Sequence, residues 1–240
     1  MQRITQLREF YDIIGELEKN NGGRCKLSGV SYSLLPKRGV YFFFEPGEMR
    51  TDSGTTPRVV RVGTHALAAG SSSTLGGRLR QHRGAIAGGG NHRGSIFRLL
   101  VGQALIERGS TGACASWGIA SDRTKASIKL GTTSALLAVD ELPVEQAVGL
   151  HIGTMDVLWL SVDDQPGPES LRHHVEAGAI ALLSNFERDP LDLPSPGWLG
   201  HASDRKLVRG SGLWNQRHVK EHPPSDFLEV FAAAVRSSAQ

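Results

Sequence analysis

The sequence predicts one mixed α/β domain of the α+β kind: a small, mainly antiparallel sheet with helices packed around it. Three observations carry this expectation. The runs Gly39-Val40-Tyr41-Phe42-Phe43-Phe44 and Val59-Val60-Arg61-Val62-Gly63 flank a turn-rich stretch from Glu45 to Pro57, the pattern of a hairpin. The run from Asp156 to Val162 is almost continuously apolar, which suits a central strand. Helical spacing of apolar residues surrounds these strands on both sides in the chain. The 240 residues suit one large domain or two small ones, and no internal repeat divides them. We expect a core domain over 37–200, preceded by a helix and linker (1–36) and followed by an extension packed on the same domain (201–240).

The first helix is expected over 4–20, with Ile4, Leu7, Phe10, Tyr11, Ile14 and Leu17 at spacings of three and four until Asn20-Asn21-Gly22-Gly23 stops it. Pro36 marks a linker, and the following strand has the composition of one buried on both faces. Leu75 to Arg83 reads as a helix despite Gly76 and Gly77, and it sets Arg78 and His82 four apart on one face. A glycine-rich loop (Gly84 to Gly90) precedes Ser95, a cap for a helix with the stripe Phe97, Leu100, Val101, Ala104 and Leu105. Residues 107–140 are polar and read as a surface elaboration, so that 107–150 forms an insertion. A short helix over Pro143 to Leu150 would carry Pro143 at its first position. Pro168 to Leu183 is the second long helix, its stripe formed by Leu171, Val175, Ala179 and Leu182. A Pro-rich loop (Asp189 to Gly200) and a final helix (Ser225 to Val235) complete the chain.

The net charge of +3 announces no global field, but the distribution is uneven. From Ser53 to Ile106 there is no Asp, Glu or Lys, while Arg58, Arg61, Arg78, Arg80, Arg83, Arg93 and Arg98 occur with His65, His82 and His92. Arginine alone is what a site uses to grip phosphate, because its planar fork donates two parallel hydrogen bonds to one oxyanion. Nucleic acid is therefore the expected partner. Cys25 and Cys114 have neither zinc-finger spacing nor the density of a disulfide scaffold. No apolar run reaches the roughly 18 residues of a membrane span and no signal segment opens the chain, so a cytoplasmic protein without a membrane partner is expected.

Glu176 lies within or beside the apolar stripe of its helix. Burying a bare carboxylate is too costly, so it must be paired, protonated or metal-bound. Mg²⁺ held by one carboxylate, waters and substrate phosphate is a normal arrangement. Arg78 offers charge to a phosphate while His82 could handle a proton. His173 and His174 read as surface histidines.

Taken in order, these residues resemble the GIY-YIG nuclease family. Gly39-Val40-Tyr41 is similar to the first signature, and Arg61-Val62-Gly63 stands where the second would be. Leu75 to His82 resembles the catalytic helix, with Arg78 at its arginine and His82 at the following His or Tyr position. Glu176 resembles the metal-binding glutamate, and Asn185 the asparagine that follows it. The likeness covers about residues 37–185, with an insertion between the arginine and glutamate helices. It implies an endonuclease that hydrolyses phosphodiester bonds in nucleic acid to a 5′-phosphate and a 3′-hydroxyl; DNA is expected ahead of RNA, a choice the sequence leaves open. One Mg²⁺ (or Mn²⁺) would sit on Glu176, Arg78 would neutralise developing charge, and Tyr41 with His82 would align or deprotonate a water. Arg80, Arg83, His92, Arg93 and Asn185 are the expected nucleic-acid contacts.

Two departures bear on this. Arg61 replaces the second tyrosine; it cannot act as a base, but it can hold a phosphate or a water. Asn185 lies closer to the glutamate than the family pattern has it. Two other readings stay open at this point: a nucleic-acid-binding module whose active site has decayed, and a partner-binding scaffold.

Overall fold

The computed structural model describes residues 2–85, 88–167 and 169–238. Strands β1 (Cys25–Lys26), β2 (Gly39–Met49), β3 (Pro57–Gly63) and β4 (Asp156–Ser161) form one antiparallel sheet in the order β1-β4-β2-β3. The helices among the described residues are α1 (Arg3–Asn20), α2 (Leu75–Arg83), α3 (Ile96–Glu107), α4 (Arg123–Leu130), α5 (Ser134–Gly153), α6 (Leu171–Leu183), α7 (Lys206–Ser211) and α8 (Phe227–Ser237). The chain is thus the mixed α/β fold that its pattern predicts.

The pleat of β2 divides the core in two. Val40, Phe42 and Phe44 face a cluster with Phe10 of α1, Val175 of α6 and Phe231 of α8. Tyr41 and Phe43 face the opposite cluster with Leu79 of α2, Phe97 of α3 and Val148 of α5. Successive side chains alternate across a strand, so a strand covered on both sides is apolar throughout. Two glycines let this layer close. A Cβ on Gly39 would stand 2.3 Å from the Leu160 carbonyl oxygen of β4, and one on Gly63 would stand 2.4 Å from the Tyr41 hydroxyl.

The hairpin of β2 and β3 carries a bulge. Phe43 pairs with Arg61 and Phe44 with Val59, which leaves Val60 as the extra residue. Tyr41 pairs with Gly63, two residues from Arg61, so Tyr41 and Arg61 are diagonal neighbours on one face. The exposed edge of β3 is covered by the tail. Trp214 donates its backbone N–H to Val60 O (2.8 Å), and the Asn215 amide bridges both backbone groups of Val62 (3.1 and 2.8 Å).

Helix α2 occupies the span the sequence predicts, with Thr74 Oγ1 accepting from the Gly77 N–H. Ser95 caps α3 in the same way through the Arg98 N–H. Helix α6 starts at Leu171, capped by Ser170; the expected start at Pro168 lies outside the described residues. The short helix expected from Pro143 is corrected: α5 begins nine residues earlier and runs for 20, with Pro143 inside it. Its buried face mixes Glu141 and Glu145 with Leu137, Val144, Val148 and Ile152, so no clean apolar stripe marks it in the sequence.

Those two glutamates also correct the reading of the arginine-rich stretch. Arg98 is fully buried and bonds Glu145 Oε2 through Nε (2.9 Å) and Nη2 (2.6 Å). Arg93 makes a two-pronged pair with Glu141 (2.8 and 2.6 Å). Arg58 is buried against Glu48 (2.6 Å). Three of the seven arginines are therefore clamps between elements, not donors to a ligand.

Candidate active site

A cleft of about 770 Å³ opens where the Tyr41 end of the hairpin meets α2, α6 and the tail. Tyr41 and Arg61 of the sheet, Arg78 of α2, His173 and Glu176 of α6 and His218 of the tail are among the residues that line it. Four of the five residues expected to act in chemistry thus share one cleft.

His82, the fifth, does not line it. It is fully buried behind Tyr41, with Nε2 2.7 Å from the Tyr41 hydroxyl and Nδ1 2.8 Å from Ser95 Oγ. Burial, reinforced by the charges of Arg78, Arg61 and Arg98, holds this imidazole well below its ordinary pKa. A neutral ring carries one proton between two hydrogen bonds, so it can orient the tyrosine but is a poor place to store a second proton.

Arg61 is almost wholly buried. Its guanidinium donates to the Trp214 carbonyl, lies 4.7 Å over the Phe97 ring and stands beside the Tyr41 hydroxyl. Its Nε has no hydrogen-bond partner. Burial lowers its pKa, opposed by the proximity of Tyr41 and Glu176, and an arginine so placed stays charged. Arg78 is more open. Its Nη1 bonds Gln81 Oε1 (3.0 Å) and Gly94 O (3.2 Å), which fixes the side chain and leaves Nη2 and Nε for a ligand.

Glu176 accepts from the Thr64 N–H through Oε1 (3.1 Å). Burial pushes its carboxyl above the ordinary range, opposed by Arg61, His218 and that amide. His173, Glu176 and His218 each place a ligand-type atom within 4.8 Å of the others, and His173 Nδ1 is buried without a partner. A carboxylate beside an unsatisfied imidazole nitrogen fits a divalent cation. His65, also in the lining, is held to a pKa of about 4 by burial and by Arg172.

The expected nucleic-acid contacts fare less well. Arg80 and Arg83 sit at the end of α2 beside Tyr32, outside the cleft. His92 is buried, stacked 3.9 Å from Trp117 and bonded to Glu145. Arg93 is committed to Glu141, as above. Asn185 accepts from the Leu191 N–H (3.0 Å) and from Arg3 (2.8 Å), and so ties the tail loop to α1. The polar atoms of these last three are matched inside the protein. His173 and His218 were not among the expected site residues. His173 precedes Glu176 by three positions, one turn of helix, which was legible; His218 carries no local signal.

A cleft lined by two arginines, a carboxylate and a tyrosine has the chemistry to suit an oxyanion such as phosphate. The family model described as a GIY-YIG domain matches residues 1–240, and the chain belongs to that family. Its members are generally nucleases that bind nucleic acid and typically require a divalent metal. No curated protein and no solved structure matches the chain. Among the described residues, no helix is long and apolar enough to cross a membrane.

Proposed function

We propose that this protein is a metal-dependent endonuclease that hydrolyses phosphodiester bonds in nucleic acid, with DNA as the first candidate substrate. The observation that supports it is the convergence of Tyr41, Arg61, Arg78 and Glu176, far apart in sequence, on one cleft. Glu176 would hold a divalent ion, Mg²⁺ or Mn²⁺ by the family likeness alone, to supply Lewis-acid charge to a phosphate oxygen. Arg78 presents its free Nη2 and Nε to the scissile phosphate, where charge grows as the five-coordinate phosphorus forms. Arg61 binds the same phosphate or the water beside Tyr41. The Tyr41 hydroxyl orients the attacking water. His82 is a positioning residue: with its proton on Nδ1 toward Ser95, Nε2 accepts from Tyr41 and turns the phenolic lone pairs toward the cleft.

One observation favours a second reading. Tyr41 has no solvent exposure and Arg61 stands at its hydroxyl, so a tyrosine closed to water would leave a nucleic-acid-binding cleft without hydrolysis. A nicking assay on plasmid, single-stranded DNA and RNA separates the two. The nuclease reading expects cleavage that depends on a divalent ion, with Mg²⁺, Mn²⁺ and Zn²⁺ each supplied, abolished by chelator and by Glu176→Ala, with Glu176→Ala still binding. No cleavage of any strand type by wild type, together with cleavage by Arg61→Tyr, would establish the decayed module instead.

A further inference from the structure

We infer that His173, Glu176 and His218 form a three-donor metal site, selective for a Zn²⁺-class ion over Mg²⁺. The inference deepens the reading of the cleft as a nuclease centre and rests on it for the ion's purpose, not for its binding.

Three features build the site. His173 and Glu176 are three residues apart on α6, so their side chains leave the helix on one face. His173 lines the cleft, and its Nδ1 is shielded from water with no hydrogen-bond partner. A buried imidazole nitrogen left unmatched is costly unless something else binds it. His218 arrives from the tail with Nδ1 against Glu221 Oε2 (2.9 Å). That bond places the proton on Nδ1 and leaves the Nε2 lone pair free. Carboxylate to imidazole to metal is the usual way a protein orients a histidine ligand. The His218 backbone is also left-handed, with φ 61°, a conformation that a non-glycine residue adopts rarely and that is concentrated at functional positions.

The three donors lie close together and do not satisfy one another: Glu176 bonds the Thr64 amide, His218 bonds Glu221, and His173 Nδ1 bonds nothing. Their ligand-type atoms all lie within 4.8 Å of one another, against the roughly 3.4 Å between two donors of a tetrahedral Zn²⁺, so side-chain rotations of about an ångström inward close the set. The donor chemistry selects the ion. Mg²⁺ demands oxygen ligands and keeps its waters, whereas imidazole suits Zn²⁺, Co²⁺ and Ni²⁺. Two histidines and one carboxylate, with a position left for water or substrate, is the composition of a catalytic zinc centre.

The test uses the full chain stripped with chelator, then equilibrium dialysis against Zn²⁺ or Mg²⁺, with visible absorption of bound Co²⁺ reporting the donor set. The expectation is one equivalent of Zn²⁺ bound at least about 100-fold more tightly than Mg²⁺. His173→Gln and His218→Gln should each weaken Zn²⁺ about 10- to 100-fold or more, and Glu221→Gln about 10-fold or more. His174→Gln, which alters the neighbouring histidine paired with Asp226 outside the set, should change nothing. Circular dichroism of each metal-free variant separates lost ligation from lost fold, and His173→Ala and His218→Ala supply a second pair should a glutamine variant unfold. Zn²⁺ affinity no better than that of Mg²⁺, or unchanged by both histidine substitutions, overturns the inference. Mg²⁺-dependent cleavage accompanied by such indifference would sink the zinc site and leave the nuclease reading standing. Tight, histidine-dependent Zn²⁺ binding without cleavage of any substrate would do the reverse.

Discussion

Replacing Glu145 with alanine should cost this protein a large part of its stability. Glu145 Oε2 takes two hydrogen bonds from Arg98, at 2.9 and 2.6 Å, and Oε1 takes the His92 backbone N–H at 2.6 Å and its ring nitrogen at 3.0 Å. Arg98 has no solvent exposure and its Nη1 is held by the His82 and Arg83 carbonyls. Deleting the carboxylate therefore strands a buried guanidinium that no water can reach. Removing one partner of such a pair costs about 3–5 kcal/mol, against the roughly 5–15 kcal/mol that holds a typical domain folded. Urea denaturation followed by circular dichroism measures the loss. Glu145→Gln keeps the acceptor oxygen and should lose less. The double change Arg98→Met with Glu145→Leu should recover most of the deficit, because neither charge is then left alone. A loss below about 1 kcal/mol for Glu145→Ala would refute the argument, since a loss that small is typical of solvent-exposed ion pairs.

Two further outcomes follow from the arginines and from His82. If Arg78 meets phosphate while Arg93 serves only Glu141, Arg78→Ala should weaken nucleic-acid binding and lower the slope of log affinity against log salt by about 1, measured by fluorescence anisotropy. Arg93→Met should leave that slope unchanged in whatever fraction stays folded. The second outcome concerns pH. Unfolded His82 takes up a proton near pH 6.5, whereas in the folded protein it does so only well below. Between those values the unfolded state holds the extra proton, so stability rises with pH by up to about 1.4 kcal/mol per unit until about 6.5, where this contribution becomes flat. His65, held at about 4, adds the same sign over its own window. Denaturation at pH 5 to 8 should show a smaller slope for His82→Phe than for wild type; equal slopes would mean that His82 is not the group responsible.

What could be read from the sequence was what local pattern encodes. Tyr41 and Arg61 lie in short apolar runs whose hairpin pairing follows from the turn between them, and α2 keeps its expected ends because Thr74 and Gly84 stop it from both sides. Glu176 stood out because a charge on an apolar face demands an explanation. The arginine-rich stretch misled for the complementary reason. Its counter-charges, Glu48, Glu141 and Glu145, lie outside residues 53–106, and charge counting along the chain cannot see pairs made across it. Glu141 and Glu145 also hid α5 by interrupting its apolar face. His92, Arg93 and Asn185 read as ligand contacts along the chain, whereas the fold gives each of them partners elsewhere in the protein. His218 could not be placed at all, since only the pairing of Trp214 and Asn215 with β3 brings that segment to the cleft.

That pairing sets an order of events in the life of the chain. The sheet, α2 and α6 use residues up to Leu183, yet the core beneath them is completed only by Phe227 and Phe231 of α8, so the domain folds as one unit once its tail is made. The tail side of the cleft does not exist until Trp214 has taken the free carbonyl of Val60 and His218 has docked behind it. A nascent polypeptide still short of residue 218 therefore holds Tyr41, Arg78 and Glu176 without the segment that completes their surroundings. Competence would arrive late and all at once, when the final segment closes over the edge of the sheet.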